Sequence, residues 1–323
     1  MTHAVRIHSY GGPEVLRWEA IELGDPGPGE ARIRHTAIGL NFIDTYERTG
    51  LYPIALPAIL GREAAGVVEA VGPRVSQVKA GDRVAYAFNA SGAYSEARLI
   101  PTERLVRIPD AVDDRLAAAL VLKGLTAQML LRQTYRVRKG NTLLVHAAAG
   151  GVGSILVQWA KHLGAKVIAI VGSEAKALRA RQLGADHVLL AGQDWVAQAR
   201  TLTGGSGVDV VYDSVGKDTF VGSLDSLRPR GLMVSYGNAS GPVPAMAPLE
   251  LSKRGSLFLT RPTLFDYIPT RASLMRAASE MLDLVAKSVI GVQVGQVYPL
   301  QEAARAHMDL EARKTVGSTV LIP

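Results

Sequence analysis

Residues 1 to about 122 alternate apolar and polar positions in short runs: AVRIH (4–8), ARIRHTAI (31–38), AGVVEAV (65–71), DRVAYAF (82–88) and AYSEARLI (93–100). A period of two marks strands with one buried face. Gly- and Pro-rich turns such as DPGPGE (25–30) divide them. No helical crossover separates these runs, so the pattern predicts an antiparallel, barrel-like domain. The texture changes at LAAALVLKGLTAQMLLRQTY (116–135), where apolar positions recur at helical spacing.

A regular alternation follows. TLLVH (142–146), KVIAIV (166–171), HVLL (187–190), VDVVYD (208–213), LMVSYG (232–237) and SLFLT (256–260) read as strands. VGSILVQWAKHLG (152–164) and EAKALRARQLG (174–184) read as helices, each ending on a glycine suited to a left-handed cap. Near-continuous apolar strands between helices predict a parallel sheet covered on both faces. Beyond residue 264 come a helix at 272–287, strands at 294–300 and 317–322, and a helical stretch at 300–314. This tail is expected to return to the first domain. The predicted class is α/β, with a β-rich domain from residues 1–122 and 265–323 and a parallel-sheet domain from 123–264.

Composition narrows the chemistry. Cysteine is absent, which removes disulfides, thiol nucleophiles and thiolate metal sites. The net charge of +7 is scattered rather than clustered, and such a field suits an anionic small molecule. Aromatics are only 6%, which argues against a nucleic-acid surface. No apolar stretch approaches the roughly 20 residues of a membrane helix, and MTHAVRIHSYGGPEV has no signal core, so a cytoplasmic protein is expected. The seven histidines are dispersed, no G-x-S-x-G elbow occurs, and His146 reads as structural.

The candidate site begins at HAAAGGVGS (146–154), between a strand and a helix. Against the dinucleotide fingerprint it reads Ala148, Ala149, Gly150, Gly151, Val152, Gly153, with alanine in place of the first glycine. Gly150 would let the backbone approach a pyrophosphate, and Gly153 would let helix pack on strand. The anion would lie on free N–H groups at the helix start. The second strand ends in Val171, Gly172, Ser173, followed by Glu174 and Lys176. NAD-binding chains place a carboxylate at this end for the ribose 2′-hydroxyl. A hydroxyl and an ammonium favour a 2′-phosphate, hence NADPH (NADP+), although Ser173 is also placed to cap the next helix.

With this layout the chain resembles the medium-chain dehydrogenase/reductase superfamily, and within it the zinc-free quinone oxidoreductases, the zeta-crystallin-like branch. The resemblance spans essentially the whole chain. It is carried by GGPEVL (11–16), AIGLNFIDTYERTGLYP (37–53), GREAAGVVEAVG (61–72), GDRVAY (81–86), LKGLTA (122–127), HAAAGGVG (146–153), VYDSVG (211–216) and GLMVSYGNASG (231–241). It implies a GroES-like β-rich catalytic domain plus a Rossmann doubly wound parallel-sheet nucleotide-binding domain. Zinc-dependent members carry a histidine ligand at the GREAAG corner, where this chain has Arg62, and cysteines elsewhere, so no metal is expected. Arg62 and Glu63 then form either a structural ion pair or part of the cleft wall.

The resemblance further implies that Asn41, Asp44, Tyr46 and Tyr52 are the polar candidates beside the nicotinamide and ribose, with Phe42 and Tyr46 also touching the cofactor. For Asn41 and Asp44 the plain alternative is helix capping; for the tyrosines it is aromatic packing. Lys123 and Thr126 match positions beside the cofactor, against a surface lysine and a helix hydroxyl. Ser214, Tyr236, Gly237, Asn238, Thr263, Leu264 and Arg313 match further cofactor contacts. Ala191 stands where relatives often have tyrosine near the adenosine phosphate, which shifts weight onto Ser173 and Lys176. The implied activity is reduction of a quinone by NADPH in a homodimer. Reduction of an activated C=C bond, and a non-catalytic crystallin-like or RNA-binding role, are the alternatives; turnover of 1,4-benzoquinone, turnover of a conjugated enone, and salt-sensitive RNA binding separate them.

Overall fold

The structure, a computed structural model, describes every residue from Met1 to Pro323. The chain divides into two compact units. One comprises Met1–Leu125, Ile268–Ser279 and Val292–Pro323; the other comprises Thr126–Tyr267 and Glu280–Gly291.

The first part of the chain forms β1 (Thr2–Ile7), β2 (Arg17–Ile21), β3 (Glu30–Leu40), α1 (Phe42–Arg48), β4 (Ala58–Ile59), β5 (Glu63–Val71), β6 (Arg83–Ala87), β7 (Ala97–Pro101), β8 (Val106–Arg107) and α2 (Asp114–Gln128). β1 pairs antiparallel with β2 and β4 in a small sheet. β3 is the spine of a larger one, antiparallel to β5 and β7, with β6 and β8 beyond β5. Its first half alternates buried and accessible positions. Its last four residues, Ala37–Leu40, are all buried, past a register shift against β5 between His35 and Ala37. Ile33, Ile38, Val68, Tyr86 and Ile100 meet in the core beneath. The buried end of β3 therefore delivers Asn41 and α1 into the interior.

The second part forms β9 (Thr142–His146), α3 (Gly151–His162), β10 (Lys166–Val171), α4 (Glu174–Gln182), β11 (His187–Leu190), α5 (Trp195–Leu202), β12 (Val208–Asp213), α6 (Phe220–Asp225), β13 (Leu227–Ser235), α7 (Leu249–Lys253), β14 (Phe258–Thr260) and α8 (Leu264–Tyr267). Its six strands pair in parallel in the order β11-β10-β9-β12-β13-β14. The order reverses between β9 and β12, the switch point where open α/β sheets place ligands. Gly164 and Gly184, just past α3 and α4, take φ of +78° and +96°, as left-handed caps require.

The chain then forms α9 (Arg271–Ala286), β15 (Val294–Pro299), α10 (Ala303–Glu311) and β16 (Ser318–Ile322). β16 lies antiparallel to β3 and parallel to β15, so the tail completes the first unit's larger sheet.

Several boundaries differ from the pattern. The long helix expected at 116–135 is α-helical only to Gln128, and Met129–Thr134 form π-helical turns. The strand expected at 256–260 shortens to β14, because Ser256 sits at a left-handed φ of +56°. The helical stretch at 300–314 opens with a 3-10 turn, Leu300–Glu302, and ends at Glu311. No helix is long and apolar enough to cross a membrane.

Candidate active site

The phosphate loop is built as its sequence requires. Ala147, at φ +49°, makes the sharp turn out of β9, so the left-handed position falls one residue before the alanine that replaces the first glycine. A Cβ on Gly153 would strike the Ala147 carbonyl and the Ala148 backbone, so only glycine lets α3 approach β9 this closely. Gly150 caps α3 in an extended conformation, φ −82°. Its backbone suits any residue; what its missing Cβ leaves is open space, with the Ala147 carbonyl at 3.1 Å as the one near atom. Gly151, Val152 and Gly153 form the first turn, whose N–H groups point out of the helix start.

At the end of β10 an added Cβ on Gly172 would meet nothing. Ser173 caps α4, its hydroxyl accepting the Lys176 amide at a long 3.4 Å. Ser214 follows β12; Tyr236, Gly237 and Asn238 follow β13; Thr263 and Leu264 follow β14. Gly237 packs on the Ser214 backbone, where a Cβ would collide. Arg261 donates to the carbonyls of Ser235 at 2.8 Å and Gly237 at 3.2 Å, joining the ends of β13 and β14. The fold thus gathers Ala149 to Gly153, Gly172, Ser173, Ser214, Tyr236 to Asn238, Thr263 and Leu264 on the C-terminal edge of one parallel sheet. Beneath that edge Asp213 is fully buried. It accepts the amides of Val215 and Gly216 at 2.8 and 3.0 Å and the hydroxyls of Thr219 and Ser223. His146 joins through Ser223 at 2.9 Å, and burial holds its pKa below the usual value. This network fixes the loop carrying Ser214.

The first unit holds a second polar cluster around α1. Asn41 is the N-cap, and its amide donates to Asp44 Oδ2 at 2.9 Å, so these two residues do cap the helix. The Asn41 side-chain amide also donates to Glu63 Oε1 at 2.8 Å. Lys123 is not a surface lysine. It is buried and donates to the same Glu63 oxygen at 2.5 Å, while the Leu122 amide donates to Oε2 at 2.7 Å. The Tyr46 and Tyr52 rings meet edge to face at 5.3 Å, and Phe42 lies against Tyr46 at 6.3 Å. Thr126 follows Lys123 on α2, and Arg313 sits just past α10 at φ +59°.

The expected pairing of Arg62 with Glu63 does not form. Arg62 pairs with the buried Glu47 and with Asn89, and Glu63 pairs with Lys123. Adjacent residues at the start of a strand point to opposite faces, so each meets a different neighbour. Glu63 is the residue the sequence reading missed as the hub of Asn41 and Lys123; its one signal was a charge heading a run of buried strand positions. No cluster of three or more His, Cys, Asp or Glu side chains is suited to a metal.

Known proteins agree with this architecture. Residues 27–110 match the alcohol dehydrogenase GroES-like domain family, and residues 151–287 match the zinc-binding dehydrogenase family. A quinone oxidoreductase of Pseudomonas aeruginosa is 52% identical over 325 residues, covering 100% of both chains. The chain belongs to the quinone oxidoreductase branch of the medium-chain dehydrogenase/reductase superfamily. A crystal structure of an Escherichia coli quinone oxidoreductase complexed with NADPH is 49% identical, with a TM-score of 0.98 and 100% of each chain covered. A 2-haloacrylate reductase of a Burkholderia species is 48% identical, covering 100% of this chain and 99% of its own. One family description names zinc, which the donor set here does not suit: there is no cysteine, and the corner residue is Arg62, whose guanidinium only donates. The chain is an oxidoreductase of this branch with a GroES-like domain and a Rossmann domain.

Proposed function

We propose that this protein is an NADPH-dependent quinone reductase that works without a metal. The observation that carries the reading is the C-terminal edge of the parallel sheet. There a βα loop whose glycines leave room for a pyrophosphate stands beside a strand end with a hydroxyl and no carboxylate. The E. coli relative, half identical along its whole length, is a structure with NADPH, which supports the cofactor assignment. The α3 N-terminus would hold the pyrophosphate, and Ser173 with Lys176 the 2′-phosphate. Bound NADPH supplies a hydride, which a quinone accepts without Lewis-acid help because its carbonyl carbons are electron-poor and reduction makes an aromatic ring.

The chain's own residues bind and orient. Asn41, held by Glu63, and Tyr46 and Tyr52, locked ring to ring, present donors at fixed positions. Asp44, as the cap partner of Asn41, fixes the start of the helix that carries these donors. The protein works as a cytoplasmic homodimer, for which β14 offers an exposed edge.

One observation favours a second reading, reduction of an activated C=C bond: the relative that is a 2-haloacrylate reductase. Oxidation of NADPH by the purified protein, followed with 1,4-benzoquinone, a conjugated enone and 2-chloroacrylate, decides. Turnover of the quinone alone supports the first reading; turnover of the alkenes alone replaces it.

A further inference from the structure

A cavity of about 440 Å³ is lined by residues of β1, of β4 and of the loops before β4 and after β6. Every one of these residues belongs to the first unit. Small-molecule sites occupy roughly 300–1,000 Å³, so the cavity is large enough for one. Ile54, Pro57, Ala58 and Ile59 give it an apolar lining, and Arg6, Arg62, Asn89 and Ser91 a polar one.

The two arginines differ in what already holds them. Arg62 Nε donates to the buried Glu47 at 2.7 Å, and its Nη1 donates to Asn89 Oδ1 at 2.9 Å. Ser91 donates to the other Glu47 oxygen at 2.5 Å. The charge of Arg62 is therefore matched by Glu47. Arg6 has no such match. Its Nε is buried with no hydrogen-bond partner, and its one ion pair, with Glu19, spans 3.7 Å, beyond hydrogen-bond reach. Glu19 is itself taken by His8 Nε2 at 2.8 and 3.1 Å. In the register of β1 and β2, Arg6 also lies opposite Arg17, and like charges across a strand pair repel. A guanidinium that lines a cavity is thus left with a surplus positive charge and no carboxylate of its own.

We propose that this cavity is a binding site for a small monocarboxylate with an apolar body. Arg6 takes the carboxylate, and Ile54, Pro57, Ala58 and Ile59 take the hydrocarbon part. A guanidinium fork matches a carboxylate through two parallel N–H···O bonds. One unmatched arginine suits a single negative charge, and the Glu47 carboxylate behind Arg62 and Ser91 disfavours a doubly charged group such as phosphate. The site is separate from the phosphate loop, whose residues all lie in the second unit. The inference goes beyond the reductase reading and does not depend on it.

Calorimetric titration of the full chain with 2-naphthoate and its uncharged analogue 2-naphthamide, with neither cofactor nor acceptor present, tests the site. One equivalent of naphthoate is expected to bind at least about tenfold more tightly than naphthamide. Arg6→Gln should weaken naphthoate by about tenfold and leave naphthamide unchanged. Its thermal midpoint should stay at the wild-type value, since Arg6 Nε holds no hydrogen bond and its ion pair is long, so the loss reads the site and not the fold. Ala55 lines the cavity from an exposed position, so the ring in Ala55→Trp should block both ligands. Equal affinity of the wild type for naphthoate and naphthamide overturns the anion site. Wild-type affinity for naphthoate in Arg6→Gln does so too, because the carboxylate is then held elsewhere. Absence of naphthoate binding at millimolar concentration overturns the cavity as a site altogether.

Discussion

Glu63 and Lys123, 60 positions apart in sequence, meet at 2.5 Å with both side chains buried. The ammonium has lost its water, so its stability depends on this one carboxylate. Glu63→Ala leaves a buried cation unpaired and is expected to cost about 3–5 kcal/mol. Glu63→Gln keeps an acceptor for Asn41 and costs less. Urea midpoints measure both, and an unchanged midpoint in Glu63→Ala would refute the pairing.

Cofactor preference is expected to rest on Ser173 and Lys176. No carboxylate ends β10, so NADH gains no acceptor for its ribose hydroxyl there. Each charge-assisted bond to a 2′-phosphate is worth roughly 1.5–3 kcal/mol, about 10- to 100-fold in affinity, less with exposure and salt. Lys176→Ala should weaken kcat/KM for NADPH and spare NADH. Ser173→Asp should narrow or invert the preference. Equal losses on both cofactors in Lys176→Ala would remove the lysine from the phosphate site.

The two loop glycines are expected to fail differently. Gly150→Val fits its extended backbone but fills the space above the helix start. It should abolish NADPH binding in calorimetry while the fold survives. Gly153→Ala puts a methyl into the Ala147 carbonyl, which is backbone and cannot swing aside. Its loss should appear first in thermal stability. Reversal of the two phenotypes would mean the roles are exchanged.

The central strands of the second unit were legible because they are buried on both faces, and the edge strand HVLL because its run is apolar. TLLVH, KVIAIV, HVLL and VDVVYD begin and end where their apolar runs do. β2, RWEAI, went unseen because its exposed and half-buried positions carry no apolar alternation. The phosphate loop was legible as a local string. The Glu63 hub was not, since its partners come from β3's end and from α2, and only the folded register brings them together. The same holds for Arg6 and Asn89, which the fold brings to one cavity from β1 and from the loop after β6.

Asp44 also makes stability fall as pH rises. Its pKa is raised from 3.8 to about 7 on folding, so the folded state binds more protons than the unfolded state between about pH 4 and 7. The stabilisation is complete below the unfolded value and is lost through the folded one. Asp44→Asn removes this dependence. Relative to wild type, its stability should therefore improve by up to about 1.4 kcal/mol per pH unit across that window. His35 and His307, lowered to about 4 and 3, impose the opposite slope below pH 6.5 in both proteins and cancel in the difference. Denaturation at pH 5 and 7 checks the sign; a difference independent of pH would place Asp44 outside this account.

β14 stands at the edge of its sheet with Phe258 57% and Leu259 39% exposed. A bare apolar edge strand invites pairing with another chain. The protein is expected to sediment as a dimer at micromolar concentration, and Phe258→Lys to shift it toward monomer. A monomeric wild type counts against the edge as a self-association surface.

The return of β16 to β3 has a consequence for synthesis on the ribosome. The larger sheet of the first unit cannot close until Ser318–Ile322 have emerged, although β3 was made almost 280 residues earlier. The second unit, nearly continuous from Thr126 to Tyr267, has its six strands in hand long before that. A nascent chain therefore carries its nucleotide domain while the Ile38–Leu40 end of β3 still lacks its partner strand. In that interval the apolar end of β3 is the open edge a chaperone would have to hold.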